Sequence, residues 1–147
     1  MSDFYLSIGQ SVEFSKTVSE TDVYLFAGVT GDFAPVHVNQ KAMESSAYGQ
    51  RIAHGALLVG FMSTTSTLMV ARAKDVHSSG ETAVSLGFDR IRFVAPVFFG
   101  DTVRVQYTIS EVDAPRRRTL ADIIITNQRD ETVAVATHIL KWVPVAR

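Results

Sequence analysis

The 147-residue chain carries 14 basic and 15 acidic side chains, a formal net charge of −1, 46% hydrophobic residues and no cysteine. That balance suits one ordinary globular domain over 1–147, and it gives no electrostatic case for nucleic acid or an anionic membrane. Without a thiol, disulfides, cysteine nucleophiles and thiolate metal sites are excluded together. The opening Met-Ser-Asp-Phe lacks the basic and apolar regions of a secretory signal, so the cytoplasm is the expected compartment.

Residues 11–18 (SVEFSKTV) alternate, with Val12, Phe14 and Val18 on one side, and read as a strand. Ser19-Glu20-Thr21-Asp22 has the form of a capping box with Asp in the Glu place, starting a helix that runs to about Gly28. Val23, Phe26 and Ala27 give that helix an apolar face. The chain then enters GDFAPVH, residues 31–37, which holds a carboxylate and an imidazole five residues apart. Gly31 permits a turn that other residues resist, and Pro35 disfavours helix at Ala34. A further short helix is expected over 39–47, with Gly49 as its stop.

Next comes an uncharged stretch. The twenty residues from Ile52 to Ala71 contain no Asp, Glu, Lys or Arg, about the length of a bilayer span. They also contain His54, Gly55, Gly60 and five successive hydroxyl side chains from Ser63 to Thr67, a polar density too costly in lipid. The stretch is therefore expected to be a buried core helix over 55–72, not a membrane span. Leu57, Leu58, Phe61, Met62, Thr65, Leu68 and Met69 form its broad apolar surface. Ala56, Gly60, Ser63 and Thr67 form a stripe of small residues that lets a sheet or partner helix come close.

After a polar connection, Lys74 to Glu81, the remainder reads as strands: 82–93, bent at Gly87, then 102–110, 119–127 and 132–143. In the second of these, Val103, Val105, Tyr107 and Ile109 point inward. Pro96 ends regular pairing, Gly100-Asp101 makes a turn, and APRRR at 114–118 is a loop tip. The order predicts an α+β architecture, a strongly curved antiparallel meander enclosing one long helix.

A D-x4-H pair by itself is ordinarily a capping Asp and a surface His. Asp32, His37 and His54 could be imagined as metal ligands, but no close-spaced pair such as H-E-x-x-H supports a metal. A hydrolase triad has no G-x-S-x-G elbow behind it. Arg116-Arg117-Arg118 could meet phosphates, though a solvated hairpin tip is the plainer reading. His77 and His138 read as ordinary loop and strand residues.

Together, however, GDFAPVH and the following AHGALLVGFMS closely resemble the signature of the MaoC-like (R)-specific enoyl-CoA hydratases, which are hot-dog-fold proteins. VAPVFFGDTV, residues 94–103, is similar to the same family's strand–turn–strand, and the resemblance covers roughly 9–143. The chain departs from the pattern at Ala34, where Asn is usual, and at Ala56, where Met is common. The resemblance implies a hot-dog fold and a hydro-lyase that adds water across the double bond of a 2-enoyl thioester, on CoA or an acyl carrier. It makes Asp32 and His37 the catalytic pair that shares a water, as general acid–base chemistry requires. Gly55 would present a backbone N–H to the developing enolate at a helix start. Ser63, His54 and position 34 would complete the substrate site. No cofactor or metal is implied, and a homodimer is expected, with the sites close to the subunit interface. Two alternatives stay open: a hot-dog acyl thioesterase, and a non-catalytic hot-dog partner subunit.

Overall fold

A computed structural model describes residues 4–145; the leading residues read above for a signal begin outside that range. Strand β1 (Ser11–Thr17) pairs antiparallel with β3 (Thr102–Asp113), and β3 pairs with β4 (Arg118–Thr126). Next, β4 pairs with β5 (Thr132–Pro144), and β5 with β2 (Glu81–Phe93), so the sheet order is β1-β3-β4-β5-β2. The expected meander is thus shortened to β3-β4-β5, because β2 lies beyond β5 and not beside β3. The reason is visible in the connection over 94–101, whose backbone is bonded elsewhere. Val94 N–H donates to Val133 O at 2.9 Å, Ala53 N–H to Val97 O at 2.8 Å, and Gly100 N–H to Val18 O at 2.7 Å. A segment held by Val133 of β5 and by Ala53 and Val18 outside the sheet does not close a hairpin between β2 and β3.

Alternation sets the buried face. Val103, Val105, Tyr107 and Ile109 of β3 and Ala121, Ile123 and Ile125 of β4 are all buried, as period-two patterning requires. Two register shifts fall in β2, at Ser85/Gly87 and Asp89/Arg92. Gly87 has φ 148° and Arg90 has φ 53°, and such bulges bend a strand and increase its twist.

Helix α4 (Gly55–Val70) crosses this concave face against β1 and β3. It buries Leu58, Phe61, Met62, Thr65, Ser66 and Met69. The buried Thr65 hydroxyl is satisfied by donating to Phe61 O at 2.7 Å. The helix is not enclosed on all sides, since one sheet layer can cover only one side of a cylinder. Ala56, Gly60, Ser63, Thr64 and Thr67 are exposed, and Leu68, expected on the apolar surface, is 40% exposed.

Helix α1 (Glu20–Thr30) begins with the capping box in both directions, Ser19 Oγ accepting from Asp22 N–H and Asp22 Oδ2 from Ser19 N–H. It runs two residues past Gly28 and stops at Gly31, whose φ of 82° is the left-handed conformation that glycine tolerates. Three short helices punctuate the loops: α2 (Pro35–Val38), α3 (Gln40–Glu44) and α5 (Val76–Ser79). Among the described residues no helix is long and apolar enough to cross a membrane.

Candidate active site

The site grows from three neighbouring chain ends: the C-terminus of α1, the short helix α2 and the N-terminus of α4. Gly31 turns the chain out of α1 and places Asp32 in a tight turn, where its Oδ1 accepts from Ala34 N–H at 3.2 Å. Pro35 then sits at the first position of α2, where its missing N–H costs nothing, and Ala34 is the N-cap with extended backbone. Ala34 supplies no side-chain cap bond. The amide of Asn39 is committed to another task, capping α3 by accepting from Ala42 N–H.

One turn along α2, His37 is pinned from below. Its Nδ1 lies 2.8 Å from the carbonyl oxygen of Ile52. A carbonyl only accepts, so Nδ1 carries the proton and the neutral ring presents a lone pair on Nε2. That Nε2 stands 4.0 Å from Asp32 Oδ2. The gap is too long for a direct hydrogen bond, and it fits one water held at about 2.8 Å from each atom with roughly a right angle between them. His37 is largely buried while the Asp32 carboxylate is half exposed, with side-chain exposures of 12% and 53%.

His54, the N-cap of α4, is the residue that ties these pieces together. Its ring stacks on His37 with centroids 3.7 Å apart and packs at a tilt against Phe26 at 4.8 Å. Its Nε2 lies 3.0 Å from the backbone carbonyl of Asp32, so Nε2–H is the donor there. The ring thereby fixes the Asp32 backbone and one wall of the His37 imidazole. Its Nδ1 is buried without a partner among the described residues. One ligand atom from each of Asp32, His37 and His54 falls within 4.8 Å of the others, a grouping the spacing did not forecast. It makes a poor cation site, because the His54 Nε2 that faces the carboxylate holds a proton for the Asp32 carbonyl.

Beside His37 opens a hollow of about 290 Å³, lined mainly by apolar groups that include Ile52, Leu58, Phe93, Val94 and Val97. Gly55, the first residue of α4, also lines it, and the first N–H groups of a helix have no acceptor within it. A hydrogen-bond donor at the positive end of a 16-residue helix therefore shares one hollow with an imidazole lone pair. Ser63 is not brought here. It lines a separate hollow of about 260 Å³, further along α4, with Ser66, Thr67, Ala83 and Ser85.

Two of the three hairpin-tip arginines are engaged elsewhere. Arg117 pairs with Glu81, donates to Tyr5 Oη and lies over the rings of Phe4 and Tyr5, and Arg116 bonds Asp113 at 3.2 Å. The side chain of His77 lies outside the described residues. His138 proves to be more than a strand filler: it is fully buried, with Nδ1 2.8 Å from Tyr107 Oη and Nε2 2.7 Å from Ser85 Oγ. No spacing rule in the sequence links residues 85, 107 and 138, which lie on three different strands. Phe93 was equally unreadable as a site residue, because its place in the hollow depends on the bulges of β2.

Comparison with known proteins bears on the family and the fold. The MaoC-like domain profile matches residues 3–132 of the chain. The (R)-specific enoyl-CoA hydratase of Rhodospirillum rubrum is 37% identical over 102 residues, which cover 69% of this chain and 65% of that protein. The 3-hydroxybutyryl-CoA dehydratase of Methylorubrum extorquens is 31% identical over 113 residues, 77% of this chain and 66% of that one. The chain thus spans just under two thirds of the length of both relatives. Among solved structures, the monoamine oxidase regulatory protein of Archaeoglobus superimposes with a TM-score of 0.81 at 27% identity, covering 98% of this chain and 95% of that one.

Proposed function

The chain belongs to the MaoC-like domain family, and from that premise we propose that it is a hydro-lyase acting on 2-enoyl thioesters, of CoA or an acyl carrier. The observation that carries the reading is the Asp32–His37 pair: a 4.0 Å gap sized for a water, facing an imidazole whose tautomer is fixed by Ile52. With Nδ1 protonated, Nε2 of His37 is the acceptor for a proton from that water as its oxygen bonds to C3. Asp32 Oδ2 holds the water's other O–H. The π pair between C2 and C3 moves onto the thioester as an enolate, whose oxygen Gly55 N–H stabilises at the start of α4. The imidazolium then returns its proton to C2. The product is a 3-hydroxyacyl thioester, and every step reverses for dehydration.

Position 34 and His54 act by support, the first by shaping the loop between the two catalytic groups, the second by holding the Asp32 backbone. Ser63 has no part in the proton transfers. The test is a crotonyl-CoA assay that follows enoyl absorbance and free thiol in the same cuvette. Loss of absorbance without thiol release is expected. Thiol release would mean a thioesterase, and neither signal would mean a non-catalytic subunit.

A further inference from the structure

The segment that carries Asp32 and His37 has little core of its own. Between Gly31 and Ile52 only Met43 is buried, and a stretch with few buried apolar contacts belongs to the low-stability end of a fold. Its position therefore depends on polar contacts, and these converge on one side chain. Arg51 is only 15% exposed, and its Nη1 donates to Glu20 Oε1 at 3.0 Å and to Tyr24 Oη. Its Nε donates to Gln40 Oε1 at 3.2 Å. The guanidinium lies 4.7 Å from the centroid of the Phe99 ring, and Phe99 packs against the main apolar cluster. One planar fork thus joins the first turn of α1, the first residue of α3 and a ring anchored in the core.

These contacts bracket α2. Ile52, the next residue in the chain, donates its N–H to Val36 O at 3.1 Å and accepts from His37 Nδ1 at 2.8 Å. Tyr24, held by Arg51, donates its hydroxyl to Val38 O at 3.4 Å. Three successive residues of α2 are therefore bonded to Ile52 or Tyr24, the first joined covalently to Arg51 and the second hydrogen-bonded to it. Arg51 takes no part in lining the hollow beside His37, so its influence on the chemistry passes through these neighbours. We propose that Arg51 is a positioning residue for His37: it fixes the Ile52 carbonyl and the frame of α2, and so decides which nitrogen is basic and where it faces. The proposal rests on the hydratase reading above. Lysine is a poor replacement, because one ammonium on a flexible stem cannot bond Glu20, Tyr24 and Gln40 and stack on Phe99 at once. A misplacement of about 1 Å in a reacting group costs on the order of 100-fold in rate. Such a loss falls on kcat and not on KM, since only the transition state feels it.

The experiment follows two readings in wild type, Arg51→Met and Arg51→Lys. One is the hydration of crotonyl-CoA. The other is the long-range proton–nitrogen NMR pattern of the neutral His37 ring, which reports its tautomer and is assigned by its absence from His37→Gln. Arg51→Met is expected to lower kcat by about 10- to 100-fold with KM within about twofold of wild type. In the same variant the single Nδ1–H tautomer gives way to a mixture, because the carbonyl that selects it is no longer fixed. Arg51→Lys recovers only part of each. Wild-type kcat in either folded variant, or a lost kcat with the His37 tautomer unchanged, overturns the proposal. Should the Arg51 variants fail to fold by circular dichroism, Tyr24→Phe and Gln40→Leu each remove one exposed contact of the fork. They are expected to move both readings the same way by less, and wild-type readings in both overturn the proposal. If wild type does not hydrate crotonyl-CoA, the hydratase reading falls, while the His37 tautomer in the same variants still decides the positioning role.

Discussion

Asp32 and His37 matter here less for their identity than for what holds them. The Ile52 carbonyl decides which nitrogen of His37 is basic, and His54 decides where the Asp32 backbone sits. On the proposed mechanism, Asp32→Asn and His37→Gln keep the shapes and lose the proton transfer. Each is expected to cut hydration of crotonyl-CoA by about 100- to 10,000-fold, the range associated with general acid–base groups. Circular dichroism on the same samples should match wild type. Near-wild-type turnover in either variant would remove that residue from the mechanism.

At the scale of elements, the short helix α2 has a weak start. Ala34 stands at its N-cap and makes no side-chain bond there, in the place where the resembling family usually carries Asn. Asn is among the preferred N-cap residues, and replacing such a cap by Ala typically costs ~1 kcal/mol. Ala34→Asn is therefore expected to raise unfolding stability by about that amount, read as a higher urea midpoint at unchanged slope. The same variant compared on linear and branched enoyl-CoA substrates shows whether the space beside Asp32 sets selectivity. A stability gain with an unchanged substrate ratio would make position 34 a capping position only.

A second link between elements joins β2, β3 and β5. Tyr107 Oη has no acceptor other than His138 among the described residues, so it donates to Nδ1, and the neutral ring donates from Nε2 to Ser85 Oγ. Phe88 stacks on the same imidazole at 4.3 Å. Burial pushes the His138 pKa down from 6.5 to about 4, and burial likewise drives Tyr107 well above the usual phenol range. The unfolded chain binds a proton at His138 below about pH 6.5 while the folded chain does not until about pH 4. Stability is thus fully present above the unfolded value and falls as pH drops through that window, by roughly 1.4 kcal/mol per pH unit at most. Urea unfolding of wild type and His138→Gln at pH 7 and pH 5 isolates the effect. The gap between the two proteins should narrow at the lower pH, and a constant gap would mean that His138 does not titrate on unfolding.

For the whole molecule, the open question of the fold is its uncovered side. β2 is an edge strand of 13 residues, with Val84 38% and Leu86 50% exposed. The small-residue face of α4 is also bare. Long exposed apolar edges are places where sheets join, and a self-complementary joint gives a two-fold dimer. Sedimentation at micromolar concentration is expected to give twice the 16.1 kDa chain mass. A clean monomer would show that the edge is protected in some other way.

Local structure was readable from the residues alone. The strands announced themselves by alternation, α1 by the Ser19/Asp22 box, and α4 by a charge-free stretch opened by His54-Gly55. GDFAPVH drew attention to Asp32 and His37 through its resemblance to a family signature, and the fold sets the two side chains 4.0 Å apart. Non-local pairing was not readable. Nothing in the chain says that β2 passes to the far side of β5, that His54 packs against both Phe26 and His37, or that Phe93 lies against Gly55. Those facts depend on bulges, on the backbone bonds of 94–101 and on which of several apolar surfaces meet. Sequence patterning records which face of an element is buried; which partner buries it is decided only when the whole sheet closes over the helix.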